Sequence, residues 1–223
     1  MECNYCGGRC WRSGRQKKGV QRYYCPRCKK YQQLTYQYRA CIASTGHLIT
    51  AMVRESVGIR GIARVLHISR QTVLNRIQLS AATIRKPADK LDQVSLEVDE
   101  LWTYINQKEN EYWIPYAIDR QTRSVVDFVV GKRTKTTLKE LVDRLLDLNP
   151  TIIRTDKLTL YQRLIPKRLH RPGANRINRI ERKNLSIRTH LKRLSRRTIC
   201  FSRSLRMLEN CLRIYFWKKA SSG

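Results

Sequence analysis

The stretch Val94-Ser95-Leu96-Glu97-Val98-Asp99 alternates apolar and polar residues, the period of a half-buried β-strand. Two further strand-like runs follow at 112–119 and 124–130, joined by a short polar turn, and together they predict an antiparallel meander. The period then changes to that of a helix over 138–146, and Asn149-Pro150 stops this helix. A short strand of the buried type, Thr151 to Thr155, comes next.

The resulting order is strand, strand, strand, helix, strand, then helices, which is the order of the α/β ribonuclease-H-like fold. In that arrangement the first and fourth strands are neighbours. Asp99 and Asp156 each follow one of these two strands, so both side chains are expected to face one cavity although they lie 57 positions apart. Pro115 interrupts the second strand and favours an edge or bulge position.

Other carboxylates compete with Asp99 on position alone, namely Glu97, Glu100 and Asp119. Glu100 is expected on the opposite strand face from Asp99, because successive side chains of a strand alternate. The indole of Trp102, on the continuation of this strand, is expected in the core.

A third carboxylate stands in a very basic stretch. From residue 166 to 223 there are 17 Lys or Arg residues and only two acids, Glu181 and Glu209. A lone carboxylate in such surroundings either forms a salt bridge or holds a cation. Arg188 lies two helical turns after Glu181 on the same face, where it either holds a DNA phosphate or is solvated.

Charge is distributed unevenly along the 223 residues, whose net charge is +29. Residues 1–92 carry 18 basic and 4 acidic groups, residues 93–165 carry 11 of each, and residues 166–223 carry 17 and 2. Two basic arms around a neutral block suit a polyanionic partner, either nucleic acid or an anionic membrane surface. We expect the arms to hold nucleic acid, as double-stranded DNA. No apolar run reaches the length of a membrane span, and the first residues are Cys-rich rather than signal-like, so no membrane contact and a cytoplasmic location are expected.

Two Cys-x-x-Cys pairs stand 18 residues apart near the start of the chain. Cys3, Cys6, Cys25 and Cys28 match the four-thiolate pattern of structural zinc, which predicts a zinc ribbon over 1–40. Cys10 is either a substitute ligand for Cys6 or a spare thiol. Basic and aromatic residues between and after the pairs suit DNA contacts, although some of the aromatic rings must pack around the metal.

Apolar residues recur at helical spacing in three segments between 45 and 86, and residues 61–73 are typical of a helix-turn-helix. Ser69 is the expected N-cap of the third helix. The side chains on this helix that can reach base edges are Arg70, Gln71, Asn75 and Arg76. The alternative is a plain helical hairpin with a solvated polar face. A linker is predicted over 83–93.

The sequence resembles DDE transposases of the bacterial insertion-sequence-one type over nearly its whole length. The resemblance rests on the two cysteine pairs and on a series of short motifs in the same order, with 24 residues between Asp156 and Glu181. These motifs are Gly58-Ile59-Arg60, Ala63-Arg64, Ile68-Ser69, Thr72-Val73, Val98-Asp99-Glu100, Trp102, Thr155-Asp156, Leu160-Tyr161, Arg179-Ile180-Glu181-Arg182, Asn184-Leu185, Arg188, His190-Leu191 and Phe201-Ser202-Arg203-Ser204.

The resemblance implies that Asp99, Asp156 and Glu181 form a catalytic triad acting on the terminal inverted repeats of a transposon and on target DNA. Three carboxylates can hold two hard cations, Mg²⁺ or Mn²⁺, which flank a phosphodiester. Because two transposon ends must meet, a homodimer or higher oligomer on DNA is expected. The basic C-terminal helix would hold DNA over the site, with the candidates Arg182, Arg188, Lys192 and Arg193.

We therefore expect a multidomain chain. The zinc ribbon over 1–40 and the helix-turn-helix over 45–86 would find the DNA ends. A ribonuclease-H-like catalytic domain with C-terminal helices would occupy 93–223. Two alternatives remain open: a DNA-binding regulator without catalysis, and a nuclease or resolvase of the same fold.

Overall fold

The computed structural model describes residues 1–36, 38–87, 93–173 and 177–218. It divides into two compact units, Met1–Thr45 and Gly46–Gly223. The linker predicted over 83–93 lies partly outside the described residues, because these do not include 88–92. Within the described residues, no helix combines the length and the apolar character needed to cross a membrane.

The first unit is built on a small antiparallel sheet of three strands, β1 (Trp11–Arg15), β2 (Gln21–Cys25) and β3 (Lys30–Gln32), with β2 in the middle. Gly7 takes a positive φ of 69° in the turn after the first cysteine pair, and its N–H donates to the Cys3 carbonyl. Such left-handed turns suit glycine, which has no Cβ. The turns bring both cysteine pairs to one end of the sheet.

Three helices precede the large sheet: α1 (Ala43–Arg54), α2 (Ile59–Leu66) and α3 (Arg70–Ala82). The turn between α2 and α3 contains His67 in the left-handed conformation, followed by Ile68, which is buried. As predicted, Ser69 caps α3, with its Oγ accepting the Thr72 N–H at 3.0 Å. Ile62 and Val73 are fully buried where α2 and α3 pack together.

The large sheet contains five strands in the order β6-β5-β4-β7-β8. Its elements in chain order are β4 (Ser95–Tyr104), β5 (Glu111–Asp119), β6 (Val125–Phe128), α4 (Lys135–Leu146), β7 (Ile152–Thr155), α5 (Thr159–Leu164), β8 (His170–Pro172), α6 (Asn178–His190) and α7 (Leu205–Trp217). The strands β4, β5 and β6 form the predicted antiparallel meander, and β7 lies parallel to β4. The first and fourth strands of the sheet are thus neighbours, as the sequence predicts.

The sheet is covered on both faces, so the chain buries two apolar layers. One layer packs α4 and α5 against Val98 and Ala117 of the sheet. The other packs α6 and α7 against Leu101 and Tyr116. Helix α7 also contacts α3, and Arg213 donates to the Ile84 carbonyl at 2.9 Å. The ranges 45–86 and 93–223 therefore lie largely in one compact unit, and their separation into two domains stays a prediction.

Of the two positions expected for Pro115, an edge or a bulge, the edge is wrong, because β5 is the second strand of the sheet. The pairing of β5 with β6 does shift register nearby, between Ala117 and Ile118. The Pro115 carbonyl accepts the Val129 N–H at 3.0 Å, but proline has no N–H to return to Val129. The ladder between β5 and β6 is interrupted there, and β6 ends at Phe128. This explains why the strand is shorter than the apolar run 124–130.

Candidate active site

Asp99 and Asp156 come together through the register of two neighbouring parallel strands. In the pairing of β4 with β7, Ser95 lies opposite Ile152 and Glu97 lies opposite Arg154. The two residues of each pair are 57 positions apart in sequence. Extending the same offset by two residues leads to Asp99 on β4 and to Asp156, the residue directly after β7. Both side chains are half-buried. The alignment predicted from the order of strands is therefore present in the structure.

Asp99 is held by two hydrogen bonds and is affected by a like charge. Its Oδ1 accepts the Glu100 N–H at 2.7 Å, and its Oδ2 accepts Nδ2 of Asn184 at 2.6 Å. Burial raises the pKa of Asp99 to about 6; the two hydrogen bonds act against this rise, and the charge of Asp156 adds to it. A half-buried carboxylate within range of a second negative charge is suited to a divalent cation, which would offset both unfavourable effects.

Asn184 is itself fixed by a second residue of the sheet. The Tyr116 hydroxyl donates to Oδ1 of Asn184 at 2.6 Å, which leaves the amide nitrogen directed at Asp99. Tyr116 is fully buried and lies opposite Asp99 on β5. The result is a continuous series of hydrogen bonds from Tyr116 through Asn184 to Asp99. No role was predicted for either residue, although Asn184 stands in the motif that follows Glu181.

Asp156 begins the segment that connects β7 to α5. Its Oδ1 accepts the Leu158 N–H at 3.0 Å, which fixes the carboxylate at the turn. The preceding residue, Thr155, has its hydroxyl 2.8 Å from Nε2 of His170 and donates to the Asp156 carbonyl at 2.7 Å. The strand end that carries Asp156 is thus tied to β8.

Glu181 lies in the first turn of α6 with an exposed side chain. It is one helical turn before Asn184, the residue that contacts Asp99. Its carboxylate does not converge with those of Asp99 and Asp156 closely enough for all three to bind one metal ion. Among the described residues, the four cysteines form the group whose possible ligand atoms converge in this way. The structure therefore places Asp99 and Asp156 close enough for their charges to interact and leaves the Glu181 side chain exposed to solvent.

The three competing carboxylates have other partners. Glu97 is fully buried, and its Oε2 accepts the backbone N–H groups of Arg179 and Ile180 at 3.1 and 3.0 Å. It therefore caps the N-terminus of α6 from the neighbouring strand. Glu100 points to the other sheet face, as predicted, and is 2.7 Å from Nε of Arg133. Asp119 accepts the Gln121 N–H in the turn between β5 and β6.

The basic candidates on and after α6 differ in accessibility. Arg182 and Lys192 are exposed, and Arg188 is half-buried. Burial and the nearby charge of Arg196 lower the pKa of Arg188, while the charge of Asp99 acts in the opposite sense. Arg193 is only 9% exposed, and its guanidinium donates to the Ser202 hydroxyl at 3.0 Å. The prediction that Arg193 contacts DNA does not fit this structure, because a buried guanidinium cannot reach a phosphate.

The third helix of the predicted helix-turn-helix presents polar side chains on its outer face. Arg70, Gln71 and Asn75 are exposed, and Arg76 is half-buried. Nε2 of Gln71 donates to Oδ1 of Asn75 at 2.8 Å, so the two amides form a pair one turn apart. The opposite face buries Ile77 and Ala81. This arrangement suits a helix that reads base edges, and it also fits a solvated hairpin.

The four cysteines of the two pairs meet at one point in the first unit. Their sulfur atoms all lie within 4.8 Å of one another, with Cys3 and Cys28 3.5 Å apart and Cys6 and Cys25 3.6 Å apart. A hydrogen bond from the Cys28 backbone lowers the pKa of Cys25, although burial acts against it. The pKa of Cys3 is lowered as well, to about 6, by hydrogen bonds that outweigh its burial. Four converging sulfurs fit a tetrahedral zinc ion.

Cys10 is buried beside this cluster but outside the group of converging sulfurs. Burial, together with the charges of Cys25 and Cys3, raises the pKa of the Cys10 thiol to about 11. The Cys10 thiol can instead donate to the Gly8 carbonyl, with its Sγ 3.9 Å from that oxygen. This favours the interpretation of Cys10 as a spare residue.

Trp102 is another residue whose position differs from the prediction. It is half-buried rather than in the core, opposite Trp113 on β5. Both indoles line a cavity that is also lined by Glu100 and Arg188. Both faces of β4 carry apolar and acidic residues, so alternation along this strand could not have revealed the exposure of Trp102.

Comparisons with known proteins place most of the second unit in one family. The model of a family described as IS1 transposase matches residues 92–221, which hold Asp99, Asp156 and Glu181. The insertion element iso-IS1n protein InsB of Shigella dysenteriae is 38% identical over 122 residues, covering 55% of this chain and 93% of that protein. The insertion element IS1 4 protein InsB of Escherichia coli K12 is 35% identical over 145 residues, covering 65% and 81%.

Solved structures resemble the chain more distantly. The catalytic core domain of HTLV-2 integrase, determined in complex with magnesium, is 16% identical with a TM-score of 0.36. The match covers 59% of this chain and 86% of that one.

Proposed function

The chain belongs to the IS1 transposase family, and from this premise we propose that it cuts DNA at the terminal inverted repeats of its element and joins the cut ends to target DNA. The proposed catalytic residues are Asp99, Asp156 and Glu181, on a ribonuclease-H-like fold. The observation that supports this proposal is the parallel pairing of β4 with β7: its offset, continued two residues beyond the last pair, leads to Asp99 and Asp156, whose charges interact. Two strands distant in sequence would thus supply two hard oxygen ligands to one metal centre.

The donor set fits Mg²⁺ or Mn²⁺, since both ions prefer carboxylate oxygens and keep several waters. When bound, such ions activate the attacking water or 3′-hydroxyl and stabilise the leaving oxygen. Asp99 and Asp156 would hold them. We propose that the Glu181 side chain turns towards this pair when the ions and DNA bind, since Glu181 is one turn from Asn184 on the same helix.

Other residues of the chain prepare the site for this reaction. Asn184 fixes the direction of the Asp99 carboxylate, and Tyr116 fixes Asn184. Arg188, close enough to Asp99 for their charges to interact, would bind a phosphate of the strand being cut. Arg182 and Lys192 would hold the DNA on either side, because both are exposed on the same basic segment.

Recognition of the transposon ends is assigned to the N-terminal half of the chain. Arg70, Gln71, Asn75 and Arg76 of α3 would contact base edges in the major groove. The four-cysteine site would hold zinc and keep the basic three-stranded sheet folded for backbone contacts. Because both ends of the element must be present for joining, the active form would be a homodimer or higher oligomer on DNA.

A cleavage and joining assay tests this function. The substrates are DNA fragments taken from either side of the coding sequence, with a labelled 3′ end and a supercoiled target. Wild-type protein should cut and join with Mg²⁺ or Mn²⁺, whereas Asp99→Asn, Asp156→Asn and Glu181→Gln should lose at least a hundredfold in both steps, since each removes a charged metal ligand. Asp143→Asn is the matched control, because Asp143 is an exposed carboxylate on α4 paired with Lys139.

Three outcomes are informative. Full joining activity in Glu181→Gln would exclude Glu181 from the triad. Cutting without joining by the wild-type protein would favour a nuclease of this fold. Sequence-specific binding with neither reaction would favour a regulator.

A further inference from the structure

A cavity of about 580 Å³ opens in the second unit, and its lining includes Arg188, whose charge interacts with that of Asp99. Its volume falls in the range of about 300–1,000 Å³ that is typical of small-ligand sites. The lining combines two indoles, Trp102 and Trp113, with the cations Lys108, Arg196 and Arg197. Tryptophan and arginine together, in a concave site, form the combination that proteins use to hold single nucleotides.

Burial orders these groups from the rim to the floor of the cavity. Lys108, Arg196 and Arg197 are exposed and form the rim. Trp102 and Trp113, which are cross-strand neighbours on β4 and β5, are half-buried. Opposite charges are thus separated: the cations are outermost, and the carboxylate of Glu100, whose side chain is only 4% exposed, lies deepest.

The floor is held rigidly by contacts that do not need a ligand. Arg133 forms an ion pair with Glu100 at 2.7 Å, and its guanidinium lies 4.4 Å from the centroid of the Trp113 ring. This fixes the Trp113 indole in place before any ligand arrives. A phosphate is unsuited to the floor, since it would meet the Glu100 carboxylate, but it is suited to the rim.

From this distribution we infer that the cavity binds one unpaired nucleotide of a DNA strand, with its base against Trp102 and Trp113 and its phosphates on Arg196 and Arg197. A base within a duplex cannot present its face to an indole, because its neighbours already cover it, so the nucleotide must leave the stack. Paired DNA would reach only the rim.

The position of the cavity gives this nucleotide a place in the reaction. Arg188 lines the cavity and lies close enough to Asp99 for their charges to interact. A nucleotide in the cavity is therefore adjacent to the phosphate at the carboxylates. Holding it out of the helix would fix the strand on one side of the cut. The inference thus deepens the proposed function, on which its role in catalysis rests, while the binding of an unpaired base is independent of it.

Binding of two duplexes that differ by one nucleotide tests the inference. One is a fully paired short duplex, and the other has the same sequence with a single unpaired 2-aminopurine, whose fluorescence falls on stacking. Without Mg²⁺, the wild-type protein should bind the second duplex about tenfold tighter, the size expected for one stacked base, and should quench its fluorescence. Trp102→Leu should lose most of this preference and of the quenching, while Trp102→Phe should keep both.

Two further variants separate base stacking from charge and from general aromatic contacts. Arg197→Gln should weaken binding of both duplexes alike and leave their ratio unchanged, since Arg197 would contact phosphate. Trp11→Leu removes an exposed indole of the first unit and should also leave the ratio unchanged. Equal binding of the two duplexes by wild-type protein would overturn the inference, as would a Trp102→Leu variant that keeps the preference and the quenching.

The outcome does not depend on the success of the proposed function. If Trp102→Leu does not fold, the comparison of the two duplexes with wild-type protein and with Trp102→Phe still decides the question. A tenfold preference with quenching, in a protein that neither cuts nor joins DNA, would preserve the cavity assignment and overturn the transposase proposal. Conversely, a protein that cuts and joins DNA but binds the two duplexes equally would support the transposase proposal and overturn the cavity assignment.

Discussion

Asn184 of α6 donates a 2.6 Å hydrogen bond to Oδ2 of Asp99 on β4, 85 residues away in sequence. Helix α6, which carries the predicted catalytic residue Glu181, thereby orients the predicted catalytic residue Asp99. Because Tyr116 holds the Asn184 carbonyl oxygen at 2.6 Å, the amide has one favoured orientation, with its N–H groups towards Asp99.

Replacing Asn184 by Ala should therefore slow cleavage by about 10- to 100-fold, the usual cost of losing an outer partner of a metal ligand. Tyr116→Phe should show a smaller loss in the same direction, since it frees the amide without removing it. The rates are measured at saturating Mg²⁺ and over a titration of Mg²⁺. Asn178→Ala is the control, because Asn178 is exposed at the start of the same helix. Equal rates for Asn184→Ala and the wild type would show that Asn184 has no positioning role.

The pKa of Asp99 predicts how stability changes with pH. It is raised from the usual 3.8 to about 6, mainly by burial, so the folded state binds this proton more tightly than the unfolded state does. The contribution of the protonated Asp99 carboxyl to the free energy of unfolding is fully present below pH 3.8 and is lost as pH rises through about 6. At pH 7.5, without divalent ions, Asp99→Asn should therefore raise the free energy of unfolding by about 2–3 kcal/mol.

Urea unfolding of wild type and Asp99→Asn, at pH 7.5 and at pH 4, measures this difference, which should nearly disappear at the lower pH. Mg²⁺ at pH 7.5 should stabilise the wild type and not the variant, because the ion needs the Asp99 carboxylate. A variant that is no more stable than wild type at pH 7.5 would contradict the raised pKa.

The zinc site predicts a clear difference between two buried cysteines. Cys25→Ser should abolish zinc binding and unfold the small sheet, since a serine hydroxyl is a poor ligand for this ion. Cys10→Ser should keep zinc, because the Cys10 sulfur lies outside the converging group. Metal analysis of the purified variants gives the zinc content, and far-ultraviolet circular dichroism reports the fold. Loss of zinc in both variants would mean that Cys10 is also a ligand.

The outer face of α3 predicts two kinds of DNA variant. Gln71→Ala should weaken binding to the transposon end by about 1–3 kcal/mol and leave binding to unrelated DNA unchanged, as expected for a contact to a base edge. Arg182→Gln should weaken binding to both DNAs and reduce the dependence on salt, as expected for a phosphate contact. Titrations with end and unrelated duplexes at several salt concentrations compare the two. An unchanged preference in Gln71→Ala would favour the solvated hairpin.

Local patterns in the sequence were sufficient for several parts of this structure. Alternation identified β4, the two-residue gaps identified the cysteine cluster, and Ser69 marked the start of α3, since each depends on residues close in sequence. The pairing of β4 with β7 also followed, because the order of elements leaves few ways to arrange the strands.

Contacts between distant residues were not accessible in this way. The cap of α6 by Glu97 joins residues more than 80 positions apart, and nothing near Glu97 distinguishes it from other strand carboxylates. The burial of Arg193 depends on Ser202 and the turn that presents it. The strand β8 contains only His170–Pro172, too short to show any period.

The hydrogen bonds of Glu97 also restrict how helix α6 can move. Glu97 stands two residues before Asp99 on β4 and binds the backbone N–H groups of Arg179 and Ile180, immediately before Glu181. One side chain thus fastens the backbone of the third proposed catalytic residue to the strand that carries the first. The helix cannot slide along the sheet at this end without breaking both hydrogen bonds. In the proposed mechanism, Glu181 would therefore approach or leave the other two carboxylates by rotation of its own side chain, while its backbone stays anchored.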